Sequence, residues 1–495
     1  SVNLAGNLLG LEAEVNALIQ VKAGETFSGA KTNETAKSIT DYLGNLGYAF
    51  ANVNAVPEPD KEKQTVSFTV FVDPGRRVYV RRVNVLGNSK TADQVIRREF
   101  RQMEGAWYDG EKINRSRTRV DRLGYFDAAT VETPAVPGTT DQVDVNLTVK
   151  EKPTGNLMFG AGFSSSESLI LSTSISQQNL FGSGKSMSLS LNSGSINKTY
   201  ALSFTDPYYT PDGISRGFDV YLRNVDPTRL RIGNYRTSSV GAGLRWGFPI
   251  REDDRINFGL AVDQTSIDTF SDSPQRYKNF VNEFGDTNNS LVSTIGWARD
   301  TRDSFIYPTK GSIQRVNGEI AIPPGGLRYM KASYQHQTYF PLWGNFVLML
   351  NGELGYGRGY GDKPLPFYKN FYVGGIGSVR GFETASIGQR DRDGNGNLLR
   401  TTIGGDRRLV MNAEVLFPFP GMGQDKSLRL GTFVDAGNVW ADGQSLSLGD
   451  MRYSAGLSVA WSSPMGPLKF SIAQPLNKDP LDRLQRFQFQ MGNVF

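Results

Sequence analysis

The alternation of apolar and polar residues along the C-terminal two-thirds of the chain constrains its fold most strongly. From about residue 153 onward the sequence consists of short alternating runs, which Gly, Asn, Asp and Pro interrupt. In the run 428–435, Leu, Leu, Thr and Val alternate with Arg, Gly, Phe and Asp. A period of two indicates β-strands whose two faces meet different surroundings. No window of about 18 apolar residues occurs, so the sequence predicts no transmembrane helix.

A closed transmembrane barrel explains this alternation better than a water-soluble sheet does. Closure leaves no strand edge, and in hydrocarbon an unpaired backbone group costs several kcal/mol. Polar residues on the inner face then alternate with lipid-facing apolar residues. Units of about 21 residues predict about 16 strands for residues 153–495. A soluble β-sandwich stays open as the alternative. The barrel is favoured by aromatic residues near strand ends, which suit interfacial girdles: Trp297, Tyr307, Trp343, Trp440 and Trp461.

The N-terminal third contains one module twice. The segment "GETFSGAK" (24–31) parallels "GAWYDGEK" (105–112), and the segments "NLGYAF" and "VSFTVFV" also have later counterparts. Repetition at a fixed offset indicates one structural unit used more than once. The sequence therefore divides into a first module, residues 1–76, a second module, residues 77–152, and the predicted barrel.

Each module is predicted to have the order β-α-α-β-β. In the second module, Ser89 or Thr91 suits the N-cap of a helix. The spacing of the apolar residues that follow predicts a core-facing helix through Ala92, Ile96, Phe100 and Met103. A second helix is predicted over roughly 111–123, and two strands follow it. The opening strand of the first module is short.

Positive charge is concentrated in the second module. Residues 76–122 contain 13 Lys and Arg against 6 Asp and Glu, whereas the chain as a whole has a net charge of +5. Such a patch is typical of proteins that bind nucleic acid or anionic headgroups. A solvated helix face is the alternative interpretation. The arginines of the second predicted helix form a stripe that suits anionic lipid: Arg115, Arg117, Arg119 and Arg122.

Two features resemble parts of active sites without meeting the requirements of such sites. Gly184-Lys185-Ser186 lacks the earlier glycine of a phosphate-binding loop, because Asn179 occupies that position, and no helix pattern follows. His336 is the one histidine and lies in an alternating strand without a nucleophile motif beside it. The chain has no cysteine. The sequence therefore predicts no enzyme and no cofactor.

The segment "DRDGNGNLLRTT" (391–402) is closer to a calcium-binding loop. Asp391, Asp393 and Asn395 match its first half, but Thr402 stands where a bidentate glutamate is required. Runs of Asp, Asn and Gly also form ordinary surface turns. The sequence predicts no metal site here, although it leaves open whether these residues bind any cation.

Several longer segments, taken in order, resemble one family. They are "NLFGSGKSMSL", "DPYYTPDG", "PFYKNFYVGGIGSVRGFE" and "WSSPMGPLKFSIAQP". With the double module and the aromatic C-terminus, the chain resembles the BamA family, the outer-membrane proteins that fold and insert other β-barrels in Gram-negative bacteria. The resemblance covers essentially the whole length. It implies α+β POTRA modules, the equivalents of POTRA4 and POTRA5, followed by an all-β 16-stranded transmembrane β-barrel. The chain is then a truncated member with its POTRA modules in the periplasm.

The resemblance also assigns a role to the glycine-rich run 374–383. It implies that loop 6, about 358–406, folds back into the barrel lumen, where Arg380 meets acidic residues of the wall. The alternation independently places Glu414 and Asp435 on the polar face of their strands. Glycines permit a close approach to that wall. The motif that the loop carries consists of Val379, Arg380, Gly381, Phe382 and Glu383.

The family closes its barrel by pairing the first strand, here near 155–163, with the last strand, near 486–495. A poorly paired junction would offer a strand edge to which a client strand can add. Glycine weakens strands and permits kinks, although it also relieves crowding. The predicted lateral seam contains Gly155, Gly160, Gly162, Gly492 and Phe495.

The resemblance implies partners for both parts of the chain. Arg97 and Glu104 match positions at which the family contacts the lipoprotein BamD, while a surface ion pair is the alternative interpretation. The other implied partners are further Bam lipoproteins, unfolded outer-membrane protein clients and outer-membrane lipid. Nucleic acid is not among them.

Two other functions compete with membrane insertion. A two-partner-secretion transporter also has two POTRA modules, 16 strands and a VRG-type loop, but exports a protein through its lumen. It normally begins with a plug helix and a Pro-rich linker, whereas Ser1 leads directly into the first module. A passive porin is the third possibility, and the POTRA pair argues against it.

Overall fold

The computed structural model describes residues 2–21, 24–60, 65–230, 232, 234–251, 254–304, 307–421, 427–463 and 466–492. The chain divides into two compact units. The first unit comprises residues 1–154 together with 178–185, and the second comprises 155–177 and 186–495.

The first module of the N-terminal unit has a three-stranded sheet and two helices. Its elements are β1 (Val2–Gly6), α1 (Glu12–Ala17), α2 (Gly29–Asn45), β2 (Asn52–Asp60) and β3 (Thr65–Asp73). Strand β3 lies in the centre, parallel to β1 and antiparallel to β2. Val15, Ile39 and Leu43 of the helices are completely buried against the sheet. The predicted β-α-α-β-β order is confirmed for this module.

The second module repeats this arrangement. Its elements are β4 (Tyr79–Leu86), α3 (Asp93–Arg97), α4 (Gly110–Arg122), β5 (Phe126–Glu132) and β6 (Gln142–Glu151). Strand β6 is central, parallel to β4 and antiparallel to β5. The Asp109 carboxylate caps α4 by accepting a hydrogen bond from the Lys112 N–H at 3.0 Å.

The prediction of one helix through Met103 is wrong. Helix α3 ends at Arg97, and the Met103 side chain is 63% exposed. The chain instead returns to the edge of β4, where Gly105 N–H donates to the Val80 carbonyl at 2.7 Å and Val80 N–H donates to the Ala106 carbonyl at 2.9 Å. Tertiary backbone pairing therefore outweighs the helical spacing of the apolar residues.

The predicted basic stripe on α4 is partly neutralised. Arg117 pairs with Asp121 at 2.8 Å, and Arg119 pairs at 2.8 Å with Glu99, whose side chain is buried. Arg117 and Arg119 therefore serve the fold of the module.

The first unit also includes a segment from within the predicted barrel region. Residues 178–185 pack on the second module, where Asn179 donates its side-chain N–H to the Thr91 hydroxyl at 2.8 Å and Gly182 accepts from Ala92 N–H at 2.9 Å. Leu180–Gly182 form a 3₁₀ turn, and a strand begins at Ser186. Gly184-Lys185-Ser186 therefore lie in a strand connection.

The second unit is a closed, antiparallel barrel in which sixteen strands are described. Each strand pairs with its neighbours in sequence, and the last pairs with the first. Numbered β7 to β22 in chain order, the strands are Gly155–Ser164, Ser168–Gln177, Ser186–Ser193, Asn197–Asp206, Ser215–Val225, Tyr235–Pro249, Asp254–Thr269, Thr287–Asp300, Gly311–Ile322, Tyr329–Pro341, Val347–Gly359, Arg407–Pro418, Leu428–Trp440, Arg452–Ser463, Gly466–Pro475 and Phe487–Met491. The predicted fold class is confirmed.

The burial pattern of these strands follows the predicted alternation. On β19, Val434 is 50% exposed and the adjacent Asp435 is completely buried. Trp461 and Trp343 are exposed, as an interfacial girdle requires. Trp440, by contrast, is 1% exposed and packs with Ala436 and Met451, so its assignment to the girdle is wrong. Among the helices that the structure describes, none is long and apolar enough to cross a membrane.

Long connections at one end of the barrel form a cap. They include residues 270–286, which contain helix α5 (Gln275–Phe284), and residues 360–406, which we call loop 6. Phe367 of loop 6 stacks on Tyr277 of α5 with ring centroids 3.9 Å apart. The base of loop 6 is therefore fixed by aromatic packing before its tip enters the lumen.

The Glu151 carboxylate stabilises the second module by accepting hydrogen bonds from residues 89–91. Burial alone would raise the pKa of this carboxyl, but hydrogen bonds from Thr91, Ser89 and Lys90 outweigh burial and lower the pKa to about 2. We expect Glu151→Gln to accelerate amide hydrogen exchange at residues 88–92 by about 5- to 100-fold, because hydrogen bonds to a charged group contribute about 1–3 kcal/mol.

Asp144→Asn is the matched control, since Asp144 lies on the same strand but pairs with Arg81 on the surface. Exchange at residues 88–92 should not change in that variant. Unchanged exchange in Glu151→Gln would contradict the proposed role of the carboxylate.

Candidate functional site

The tip of loop 6 carries the motif 379–383, which we call the loop motif. Val379 and Phe382 are completely buried and pack with Val373, Ile387 and other apolar residues. Arg380 is 8% exposed. Burial of all three side chains fixes the tip against the wall of the lumen.

Asp435 of β19 is the principal partner of Arg380. The guanidinium donates from Nε to Oδ2 and from Nη2 to Oδ1, each at 2.8 Å. The Arg380 backbone N–H also donates to Oδ2 at 3.0 Å. This bidentate geometry fixes both the position and the orientation of the arginine.

Glu414 of β18 is the second partner, with Arg380 Nη1 donating to Oε2 at 3.1 Å. The Ser458 hydroxyl donates to the other carboxylate oxygen of Glu414. Arg380 therefore pairs with Asp435 and Glu414 at the same time. These are the three residues that the sequence analysis selected.

Two further residues complete this site. Asn412 donates its side-chain N–H to the Ser378 carbonyl at 2.7 Å and to Asp435 Oδ1 at 2.9 Å. The Arg380 guanidinium lies 3.3 Å from the ring centroid of Phe433, in cation–π geometry. The sequence contained a signal for both, because Asn412 shares the polar face of Glu414, and Phe433 that of Asp435.

Gly381 is required at the point where the loop motif meets the wall. Its φ is +90°, a left-handed conformation that side chains disfavour. A Cβ at this position would lie 3.1 Å from Ala473 Cβ on β21. Glu383, by contrast, turns away from Arg380 and pairs with Arg483 at 2.6 Å.

Among the described residues, the seam between β7 and β22 has the shortest ladder of the barrel. Within the described residues its ladder contains two register pairs, Gln490 with Ser164 and Met491 with Phe163. Ser165 N–H also donates to the Phe489 carbonyl at 3.1 Å, and the Phe163 and Phe489 rings stack with centroids 5.6 Å apart. Strand β7 pairs along its whole length with β8 on its other edge. Most of its seam edge, residues 155–162, lies outside the seam ladder of the described strands.

The predicted seam glycines differ in their surroundings. Gly492 has a φ of +76°, lies just beyond the end of β22, and would place a Cβ 2.9 Å from the Ala161 carbonyl oxygen. A Cβ at Gly160 would lie 2.5 Å from the Ser172 hydroxyl, so this glycine relieves crowding against β8. A Cβ at Gly155 would meet Gln177 Oε1 at 3.0 Å. Gly162 is buried, and Phe495 lies outside the described residues.

A cavity of about 710 Å³ connects the two features inside the lumen. Its lining includes Arg380 and Glu414 as well as Gln490 and Gly492 of the seam. Space therefore remains in the lumen beside the docked loop.

Arg97 and Glu104 come together on the surface of the second module. Arg97 pairs with Asp93 and places Nη1 at 3.4 Å from Glu104 Oε1. Glu104 also accepts a hydrogen bond from Val83 N–H at 2.8 Å. Glu104 lies on a turn after α3, rather than on a continuous helix as predicted. Both side chains are nearly half exposed.

The calcium-like segment forms a hairpin in the cap. Asp391 pairs with Arg276 at 2.7 Å, while Asp393 accepts from the N–H groups of Asn395 and Asn397. No cluster of three or more acidic, His or Cys ligands occurs in the part of the chain that the structure describes. His336 lies within β16, opposite Gln314.

Comparison with known proteins places these features in a family context. A model of the Omp85 superfamily domain matches residues 179–495, and a POTRA model described as a surface antigen variable number repeat matches residues 1–75 and 78–152. The outer membrane protein assembly factor BamA of Neisseria meningitidis serogroup B is 40% identical over 98% of this chain. This chain spans 65% of the length of that relative.

Solved structures show the same likeness. The crystal structure of BamA from Haemophilus ducreyi lacking POTRA domains 1–3 has a TM-score of 0.85 and 30% identity, covering 99% of this chain and 98% of that chain. CdiB from Acinetobacter baumannii, with a TM-score of 0.52 and 14% identity, covers 99% of this chain and 89% of its own. The match to CdiB shows a shared fold alone. The resemblance inferred from sequence is confirmed.

Alanine substitutions at the Arg380 site are expected to lower barrel stability by different amounts. We expect Arg380→Ala and Asp435→Ala to lower strongly the fraction of protein that stays folded in SDS without heating. Each leaves a buried charge without its partner, which costs about 3–5 kcal/mol. Glu414→Ala should lower it less, because Glu414 makes one hydrogen bond with Arg380 whereas Asp435 accepts three.

The control is Arg408→Ala, which removes a lumenal arginine that pairs with Glu353. This pair joins two wall strands and is more exposed than the Arg380 site. If Arg380→Ala were as resistant to SDS as Arg408→Ala, loop docking would not contribute to barrel stability.

Proposed function

The chain belongs to the Omp85 superfamily, and on that premise we propose that it folds β-barrel proteins and inserts them into the outer membrane. It is an outer-membrane β-barrel protein with POTRA modules in the periplasm. We take its two modules as the equivalents of POTRA4 and POTRA5. The single observation that carries the proposal is the ladder of two register pairs between β7 and β22 in the part of the chain that the structure describes.

The seam provides a template for strand addition. Strand β7 is held firmly by β8, while its other edge retains only two register pairs with β22 among the described residues. Unpaired backbone groups in hydrocarbon are costly, so an incoming strand that pairs with this edge lowers the free energy. Hydrogen bonding to the edge is independent of sequence, which suits a site that accepts many clients.

Folding of the client supplies the driving force in this mechanism. The sequence contains no complete phosphate-binding loop, since Asn179 replaces the glycine that such a loop requires. Each added client strand satisfies further backbone groups until the new barrel closes on itself. We propose on this basis that the protein acts without catalysis, in keeping with the name assembly factor that its relative carries.

The partners that we propose fall into three groups: unfolded outer-membrane proteins at the seam, lipid around the barrel, and lipoproteins at the POTRA modules. For the last group we propose that Arg97 and Glu104 contact BamD. Their half-exposed side chains form a small charged surface that is already assembled in the second module.

The alternative, a two-partner-secretion transporter, receives less support. The relative with 40% identity is named an assembly factor, whereas the CdiB match at 14% identity concerns the fold alone.

Locking the seam tests the proposal. Phe163 and Met491 are register partners across it, and the chain has no cysteine of its own. We expect oxidised Phe163→Cys/Met491→Cys to lose client insertion into liposomes, because the disulfide prevents β7 and β22 from separating. Reductant should restore insertion.

The control places the same cross-link on the other side of β22, with Ile472→Cys/Phe487→Cys joining β21 to β22. These two residues are also register partners and face outward. Oxidation of the control should leave insertion intact. Insertion by protein locked at 163 and 491 would disprove the lateral seam.

Glu104 tests the docking proposal separately. We expect Glu104→Lys to weaken co-purification of BamD, because the reversed charge repels Arg97 and removes the acidic part of the surface. Glu132→Lys, which changes an exposed acid elsewhere on the same module, should co-purify normally. Equal recovery of BamD with both variants would remove this site from the proposal.

A further inference from the structure

The connection between β8 and β9 displays one phenylalanine almost completely. Phe181 is 96% exposed, the largest exposure among the large apolar side chains that the structure describes. A single exposed apolar residue is common on protein surfaces and needs no explanation by itself. Phe181 differs from such residues in the backbone that carries it.

The backbone of Phe181 adopts a left-handed conformation. Its φ is +51° and its ψ is +30°, a region that bulky side chains rarely occupy and that glycine adopts freely. Because the side chain is not buried, the contacts of the ring within the protein do not offset this strain. Backbone strain of this kind is concentrated at functional sites, so the ring is expected to act outside the fold.

The turn around Phe181 is held rigidly. Leu180 N–H donates to the Lys185 carbonyl at 2.7 Å, which closes the turn. Gly182 is buried against the second module, where a Cβ would lie 1.9 Å from the Lys90 carbonyl oxygen. These contacts fix the backbone on both sides of Phe181, so the ring is presented in one direction.

The strands that this turn connects carry an apolar outer row. Leu157 on β7, Ile175 on β8 and Leu189 on β9 are register partners, and all three side chains are exposed on the barrel. Ile175 and the exposed Met187 are equally far from Phe181 along the chain, one before it and one after it. The turn therefore follows directly from a surface that faces lipid.

Chain order places this turn at the periplasmic end of the barrel. Strand β7 begins at Gly155, directly after the periplasmic modules in sequence, and the antiparallel β8 therefore ends on the same side. At this end the apolar band of a membrane barrel gives way to the headgroups of the lipid, a depth at which aromatic side chains are favoured.

From these observations we propose that Phe181 is a membrane anchor, whose ring inserts among the phospholipid headgroups of the periplasmic leaflet. Removal of the ring from water offsets the strain of the left-handed backbone. The rigid turn supports this role, because it presents the ring without further ordering. This anchoring does not depend on the proposed insertion function.

The anchor also acts on the second module. Residues 178–185 belong to the same compact unit as that module and contact it at Thr91 and Ala92. A turn that is held at the membrane surface therefore also keeps this part of the module close to lipid.

A spin label tests the contact with lipid, since the chain has no cysteine of its own. Phe181→Cys protein is labelled with a nitroxide and reconstituted into vesicles of phosphatidylethanolamine and phosphatidylglycerol. We expect the label to collide more with oxygen, which dissolves in lipid, than with a nickel chelate, which stays in water. Phe71→Cys is the matched control, because Phe71 is also an exposed phenylalanine but lies on the first module, and there we expect the reverse.

A label at position 181 that collides mainly with the nickel chelate would overturn the anchor. If partner lipoproteins, added to the same vesicles, then shielded this label, Phe181 would belong to a protein interface instead. Equal collision ratios at positions 181 and 71 would also overturn the proposal.

The ring itself is tested from a neighbouring position. Lys90 is exposed and its carbonyl lies against Gly182, so a fluorophore on Lys90→Cys reports how close the turn is to lipid. Quenching by lipids with a spin-labelled headgroup is compared between two variants of this protein. We expect Phe181→Trp to retain the quenching and Phe181→Gly to lower it by about twofold or more, because glycine keeps the backbone conformation but has no ring.

Amide hydrogen exchange at residues 180–184 is the folding control. We expect exchange in Phe181→Gly to be at least as slow as in the unaltered protein, because glycine relieves the strain. Faster exchange in Phe181→Gly would show that the ring stabilises the turn itself, and equal quenching in the two variants would show that the ring does not reach lipid. Either result would overturn the anchor.

Discussion

The need of every backbone polar group for a partner in hydrocarbon is the constraint on which the rest of this structure depends. A closed barrel meets it by pairing each strand on both edges. Fifteen junctions are ladders between consecutive strands, whereas the junction between β7 and β22 keeps two register pairs within the described residues. We propose that the same rule makes this junction reactive, because an edge with few partners among the described residues favours any strand that supplies them in a membrane.

Loop 6 fixes the position of β22, which the two register pairs of the seam alone hold weakly. Arg380, Asp435 and Glu414 form a buried ionic site that joins the loop to the wall, and Gln488 joins the loop to the last strand. A buried ion pair adds little net stability, but it selects one geometry, because a displaced charge would be left without its partner. The loop therefore specifies the position of β22, and we propose that the barrel can open at the seam.

The sequence predicted more of this site than of the second module. Alternation placed Asp435 and Glu414 on the inner face, and the family motif placed Arg380 in the lumen, so two independent signals met at one site. The helix through Met103 failed because residues 105–108 pair with β4, a tertiary contact that apolar spacing does not encode. Gln488 was visible as a polar-face residue of its strand, but its partners lie on a distant loop. Trp440 was misassigned because an aromatic residue near a strand end suits either a girdle or a covered lumen.

Amide hydrogen exchange of β7 in a lipid bilayer tests the central claim most directly. An unpaired edge exposes every second amide of a strand, since alternate amides point toward the seam. The account predicts that about half of the amides in residues 155–162 exchange rapidly, while those of β12 and β13, which have long ladders on both edges, stay protected. Uniform protection along β7, equal to that of β12, would show that the seam is fully paired and would contradict the account.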